Sequence, residues 1–299
     1  MTQLASNANA NMPDQNQEKL VMEAVQEISH IATLPQITLK IIQLVEDPNS
    51  TASDLNKIIS NDPALGARIL KVVNSAFYGL PGQIGSINRA IVLLGLNAVK
   101  NIAIAASLAK LFRGGQISQN FSARELWVHS IGVATGTQLL SKEVGLGLPD
   151  EAFLAGLIHD IGIVVEAQAR RPKFVEAVEK MAVTPGLTLR QAELSALGAT
   201  HEQFGAALCK NWKFPSAFAY VTGFHHRPME LSENHRTLAC LVHIADITVA
   251  GLKIGYTHTV ESTEVGSDVM EAVGLPEDRL VAVAEALPAA MEEAMALLT

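Results

Sequence analysis

Gly156-Leu157-Ile158-His159-Asp160-Ile161-Gly162 sets a histidine and an aspartate side by side inside an apolar run that reads as protein core. A carboxylate taken out of water is costly unless it is paired or coordinates a cation, so Asp160 needs partners. His159 supplies a neutral imidazole beside it, and nitrogen with carboxylate is a donor combination that suits iron, manganese or zinc. Two ligands are too few for a site. The reading therefore turns on whether a helical chain brings further His, Asp and Glu residues to the same point.

Outward from that pair, the second half of the chain supplies them. Glu125 and His129 are four apart in the helical pattern of residues 123–140 and share one helix face. His159 and Asp160 lie on a helix begun by Pro149, with Asp150 and Glu151 favourably placed in its first turn. His201 opens an amphipathic helix that Pro215 closes, His225-His226 follows a helix over 216–224, and Asp246 sits in the pattern 241–249. One ligand set per helix, aimed inward, is how metal sites in helical bundles are built. A lone histidine on an apolar face is more often a hydrogen-bonded core residue than a ligand. Here five of the nine histidines fall in one ordered series with the carboxylates, which weakens that plain reading. His243 shares the face of Asp246 and either orients it as an outer partner or is a core residue; His30, His235 and His258 are assigned no role.

Toward the N-terminus, Met1 to Glu18 is rich in Asn and Gln and lacks a basic-then-apolar pattern, so residues 1–17 are expected to be a disordered tail rather than a signal peptide. Three- and four-residue spacing predicts a helix over 17–31, broken at Leu34-Pro35, and a second one ending at Asp47-Pro48-Asn49. Thr51 or Ser53 can cap the next helix. Asp62-Pro63 is a start signal, Asp62 accepting orphan amides and Pro63 standing where its missing donor costs nothing. A loop at 79–82, a helix opened by Ser86, an interruption at Gly95 and a boundary at Gly114-Gly115 complete this half. The helix closing the chain is expected to kink or break at Pro288. Strand signals are almost absent, so the fold class is all-α, a helical bundle.

Composition narrows the function. The formal net charge of −8 offers no clustered basic face for nucleic acid. Cys209 and Cys240 lack metal-knuckle spacing and read as small core hydrophobes. Arg89, Asn97, Lys100 and Asn101 interrupt the most apolar region, and no segment is expected to meet the roughly 18-residue length of a membrane span. A cytoplasmic protein with no membrane partner is the expectation.

The stretches Asp62-Pro-Ala-Leu-Gly-Ala-Arg-Ile-Leu-Lys-Val-Val-Asn-Ser-Ala-Phe-Tyr-Gly79 and Ser86-Ile-Asn-Arg-Ala-Ile-Val-Leu-Leu-Gly95 resemble the HDOD family, bacterial signalling modules related to the HD superfamily of metal-dependent phosphohydrolases. The resemblance covers roughly residues 31–247. It implies an N-terminal helical HDOD subdomain (18–113) packed on an HD-like helical subdomain (114–259), with a C-terminal helical extension (260–299). It also implies a signalling context with protein partners, in a family that generally has no established catalytic activity. Asn74 reads as structural, a polar helix-end residue bonded to nearby backbone.

The ligand order in the second half resembles that of the HD-GYP phosphodiesterases. Carried over, Asp160 would bridge two divalent ions, iron or manganese, with His129, His159 and Asp246 on one and His201, His225 and His226 around the other; Glu125 would take an outer position. Two departures matter. Ile163 stands where the HD-GYP pattern has lysine, and Arg227-Pro228-Met229-Glu230 replaces the Gly-Tyr-Pro loop, leaving Arg227 as the nearby cation. Three functions follow: a regulatory module whose HD-like half binds one or two metals with little or no catalysis, a metal-dependent phosphohydrolase acting on a cyclic dinucleotide or other phosphoester, and a redox-active di-iron site. The first is favoured by the missing lysine, the second by the retained ligands.

Overall fold

Capping signals recur along the chain, and helices begin where they predict. The computed structural model describes residues 15–31, 36–47, 49–75, 80, 82–109, 111–112 and 115–298. Residues 1–14 of the expected tail, the Leu34-Pro35 break, Gly79 and Pro81 of the loop, and Gly114 lie outside the described residues. Gln15 and Asn16, expected in the tail, instead open the first helix two residues before its predicted start at Gln17.

In chain order the helices are α1 (Gln15–Ile31), α2 (Gln36–Glu46), α3 (Ala52–Ser60), α4 (Pro63–Val73), α5 (Ile87–Leu94), α6 (Leu96–Leu108), α7 (Ala123–Glu143), α8 (Pro149–Ile158), α9 (Ile161–Ala169), α10 (Arg171–Val183), α11 (Leu189–Ala196), α12 (His201–Asn211), α13 (Ser216–Phe224), α14 (Glu233–Gly251), α15 (Ser267–Val273) and α16 (Glu277–Leu298). A 3₁₀ turn spans Pro228–Glu230. Among the described residues the only strands form one antiparallel ribbon, β1 (Gln116–Ser118) with β2 (Phe121–Ser122), pairing Gln116 with Ser122.

Thr51, not Ser53, caps α3: its amide reaches Asp54 Oδ2 at 3.2 Å while its Oγ1 accepts from the Asp54 amide at 3.3 Å. Asp62 accepts from the Leu65 amide at 2.9 Å, and Ser86 from the Arg89 amide at 3.2 Å. Asn74 closes α4, its Nδ2 donating to the carbonyls of Leu70 and Ile84 at 2.8 Å. Of the kink or break expected at Pro288, the break does not occur, since α16 runs through it.

The central helix α7 packs against α8, α14 and α16, and α12 lies against α9 and α13. Helix α6 joins the halves by packing on α2, α4 and α8. Although first in sequence, α1 lies on α9 and α12, burying Val21, Ala24 and Val25. Gln17 Nε2 donates to the Gly198 carbonyl at 2.8 Å, and Glu27 pairs with Arg170. Buried Lys100, read from sequence as an interruption, donates to the Leu44 carbonyl at 2.6 Å and Ser50 Oγ at 2.7 Å, closing the end of α2.

Contrary to expectation, one stretch among the described residues, Pro149–Ala169, is long and apolar enough by length and composition to cross a membrane, but most of it is buried inside the protein. Its apolar surface forms core. Cys209 and Cys240 form no disulfide and are buried, and burial pushes their thiols up to about 12 and about 11. A thiol-reactive disulfide reagent at pH 8 should therefore titrate neither cysteine in the native protein and both in denaturant. Labelling of the native protein at the rate of a free thiol would contradict that burial.

Candidate metal centre

Glycines flank the His159-Asp160 pair because neighbouring backbones come too close for a side chain. A Cβ on Gly156 would lie 2.7 Å from Ala134 Cα in α7, and one on Gly162 would lie 1.8 Å from the His201 carbonyl oxygen at the start of α12. Helix α8 thus lies hard against α7, and α9 against α12. The pair itself occupies the junction, His159 ending α8 and Asp160 preceding α9, rather than riding together on one helix begun by Pro149.

Around this junction the structure gathers seven of the eight residues predicted as ligands. Asp160 is the hub: its Oδ2 is 3.2 Å from His159 Nε2, and its Oδ1 is 3.3 Å from His225 Nε2 and 3.5 Å from His201 Nε2. Asp246 Oδ1 lies 2.9 Å from His129 Nε2 and 3.9 Å from His159 Nε2, while its Oδ2 lies 3.9 Å from His226 Nδ1. His226 Nε2 is 3.0 Å from His201 Nε2. Three sets of ligand atoms each fall within 4.8 Å: Asp160 with His201, His225 and His226; His129 with His159 and Asp160; and His159 with His225 and Asp246.

The outward nitrogens are already engaged. His159 Nδ1 donates to the Gly156 carbonyl at 2.7 Å, His225 Nδ1 to the Val221 carbonyl at 3.3 Å, and His201 Nδ1 to the Glu193 carboxylate at 2.9 Å. A proton held on Nδ1 leaves Nε2 of His159 and of His225 as the free ligand atom facing Asp160, while His201 Nε2 also meets His226. Among the described residues His159 Nε2, both Asp160 oxygens, His225 Nε2 and Asp246 Oδ2 are buried without a hydrogen-bond partner. Buried polar atoms left so are costly, and a cation at their meeting point would satisfy several at once. These residues fit a divalent metal.

Electrostatics hold both aspartates ionised but, against burial, raise His159, through Asp160, and His201, so a cation bound there would displace protons from these two imidazoles. Burial alone would raise the Asp160 pKa, but His159, His225 and His201 outweigh it and hold the carboxyl well below the ordinary range. Burial likewise opposes ionisation of Asp246, and its bond to His129 lowers it instead. His226 is pushed well down by burial, His225 and His201, with Arg190 adding to the effect, so its imidazole is neutral. For His201, burial is outweighed by Glu193, which lifts it to about 9.

One expectation needs correction. Glu125 is exposed and belongs to none of the three sets; its backbone carbonyl instead accepts from the Tyr256 amide at 3.0 Å. His243, read from sequence as either an outer partner of Asp246 or a core residue, donates from Nδ1 to the His225 carbonyl at 2.7 Å. Arg227 lies beside the site, its Nε 3.4 Å from Glu202 Oε1 and its guanidinium 5.2 Å over the Phe224 ring.

Sequence reasoning missed three buried glutamates and an arginine. Glu193 also accepts from the His201 amide at 3.0 Å. Glu166 is buried behind it, its pKa raised well above normal by burial and by Glu193. Glu202, wholly buried, pairs with Arg190. Signals existed for two of them: Glu166 is the lone charge in Ile161–Ala169, and Glu193 shares an apolar stripe with Leu189 and Ala192.

Comparison with known proteins places this geometry in a family. The HDOD domain matches residues 31–228. An uncharacterised protein of Treponema pallidum (strain Nichols) is 27% identical over 235 residues, 77% of this chain, which spans 44% of that relative's length. A candidate phosphohydrolase from Shewanella amazonensis SB2B is similar at 26% identity with a TM-score of 0.70, over 94% of this chain and 98% of its own. A candidate signal transduction protein from Marinobacter aquaeolei VT8 shares the fold at 23% identity and a TM-score of 0.75, over 97% of this chain and 67% of its own.

Proposed function

This chain belongs to the HDOD family, and from that premise we propose that it is a cytoplasmic signal-transduction module whose second half holds one or two divalent metal ions, iron or manganese, with little or no turnover. The observation that carries the metal reading is the set of buried, unpartnered atoms converging on Asp160. His129, His159 and Asp246 would hold one ion and His201, His225 and His226 the other, with Asp160 between them. The signalling reading draws on the family and on the name of the Marinobacter relative. Protein partners have an accessible surface in α5, where Arg89, Val92 and Leu93 are exposed.

A phosphohydrolase is the second reading, favoured by the same donor set and by the name of the Shewanella relative. When bound, a pair of divalent ions supplies charge stabilisation to a phosphoester and acidifies water. What argues against efficient turnover is Ile163. It is fully buried and lines a cavity of about 290 Å³ with Phe112, Leu126 and Val164, at which Gln168 and Arg171 also stand, so residue 163 itself supplies no cation. Losing one such electrostatic contact typically costs on the order of 100- to 1000-fold in rate.

Elemental analysis of protein purified without chelator, paired with a cyclic di-GMP hydrolysis assay in manganese or iron, tests both readings. Expected are bound metal and slow or no hydrolysis, with Ile163→Lys failing to create an efficient enzyme because it buries an ammonium among apolar side chains. Robust turnover that disappears in His159→Ala would make the hydrolase reading primary. Absence of metal would remove the metal from either.

A further inference from the structure

At the rim of the histidine cluster, the wholly buried carboxylate of Glu202 lies between two arginines. Arg190 Nε is 2.9 Å from its Oε2, and Arg227 Nε is 3.4 Å from its Oε1. One carboxylate neutralises one of two guanidiniums. The outer ends are taken by surface acids: Arg190 Nη1 lies 3.3 Å from Glu261, and Arg227 Nη1 lies 3.0 Å from Glu230. These two pairings differ from the inner one in environment. The Glu202 side chain is 0% exposed, whereas those of Glu261 and Glu230 are 45% and 49% exposed. Exposed ion pairs contribute little and are readily exchanged, while a buried one is lost only at high cost. Each guanidinium is thus anchored through Nε, with its Nη end held by a carboxylate that another anion can replace.

The pair also stands where the cluster meets solvent. Glu202 follows His201 in the chain and Arg227 follows His226. Among the residues of the three donor sets, His226 has the most exposed side chain, at 6%. A guanidinium fork matches phosphate oxygens in a two-point contact that a lysine cannot reproduce. We propose that Arg190 and Arg227, braced by Glu202, form an anion-binding arm that receives the phosphate of a phosphorylated ligand beside the His201–His226 side of the centre. The proposal rests on the metal reading only for the ligand's second contact. Glu230 and Glu261 act as resident competitors that the phosphate displaces.

Calorimetric titration of the metal-loaded full chain with GMP, and with guanosine as the uncharged control, tests the arm. GMP should bind and guanosine should not. Arg190→Gln and Arg227→Gln should each weaken GMP on the order of 10- to 100-fold, with metal content unchanged. Because removing either arginine strips a partner from a buried carboxylate, two milder sets of variants guard against misfolding. Arg190→Lys and Arg227→Lys keep the charge and should still weaken GMP; Glu230→Gln and Glu261→Gln, on the surface, should tighten it severalfold. GMP binding unaltered across these variants, equal binding of guanosine, or no GMP binding by the wild type would overturn the arm. If the wild type carries no metal yet loses GMP in the arginine variants, the arm stands and the metal reading falls.

Discussion

Asp160→Ala should strip the purified protein of metal and, with it, of the stabilisation that metal confers. Asp160 contacts three imidazoles at 3.2, 3.3 and 3.5 Å and joins two of the three donor sets. Its removal therefore dismantles the centre rather than thinning it. A ligand that binds only the folded state stabilises it by about 3–4 kcal/mol at 100 to 1,000 times its dissociation constant. For a chain of this size each kcal/mol moves the melting temperature by roughly 2–4 °C, so a fall of roughly 5–15 °C is expected. The decisive comparison adds chelator. Wild-type protein should drop to near the melting temperature of the variant, and the variant should not respond. His159→Ala should behave similarly, since its Nε2 belongs to the same convergence. Unchanged metal content in both variants would refute the site.

Gly162→Ala should be as damaging without removing a single metal-ligating side chain. The added Cβ would sit 1.8 Å from the His201 carbonyl oxygen and 2.8 Å from the Gly205 amide nitrogen. Both are backbone atoms of α12, so relief requires α9 and α12 to separate. Overpacking of this kind costs about 3 kcal/mol or more, and metal should be lost with it because the displaced helix carries His201. Gly251→Ala is the control. Nothing lies within 4 Å of a Cβ there, so its stability should change by no more than about 1 kcal/mol. Denaturant midpoints and metal content for the two variants decide the matter. Equal stability would mean that α9 and α12 are not in the contact described.

Much of the fold and half of the chemistry are legible in the sequence. Asp62-Pro63 and Ser86 begin helices where a side-chain oxygen can take up an orphan amide, a decision made within four residues and hence written locally. The order of His129, His159, Asp160, His201, His225, His226 and Asp246 likewise marks inward positions on successive helices. Each lies in an apolar setting where a polar side chain is tolerated only with partners.

Other features depended on how the helices meet. Helical spacing puts Glu125 and His129 on one face, but four residues also separate them by about 6 Å along the axis. That rise is enough to leave Glu125 exposed while His129 reaches Asp246. Glu193, Glu166 and the Arg190–Glu202–Arg227 arrangement join residues up to 37 positions apart, and α1 docks on helices more than 130 residues away. The sequence by itself determined the all-α class, the helix starts and the inward-facing histidines and aspartates, because capping and amphipathicity are local. Only the tertiary structure decided which carboxylates join them, where α8 gives way to α9 and which arginines stand at the rim, because those follow from the angle and closeness of helix packing, set here by Gly156 and Gly162.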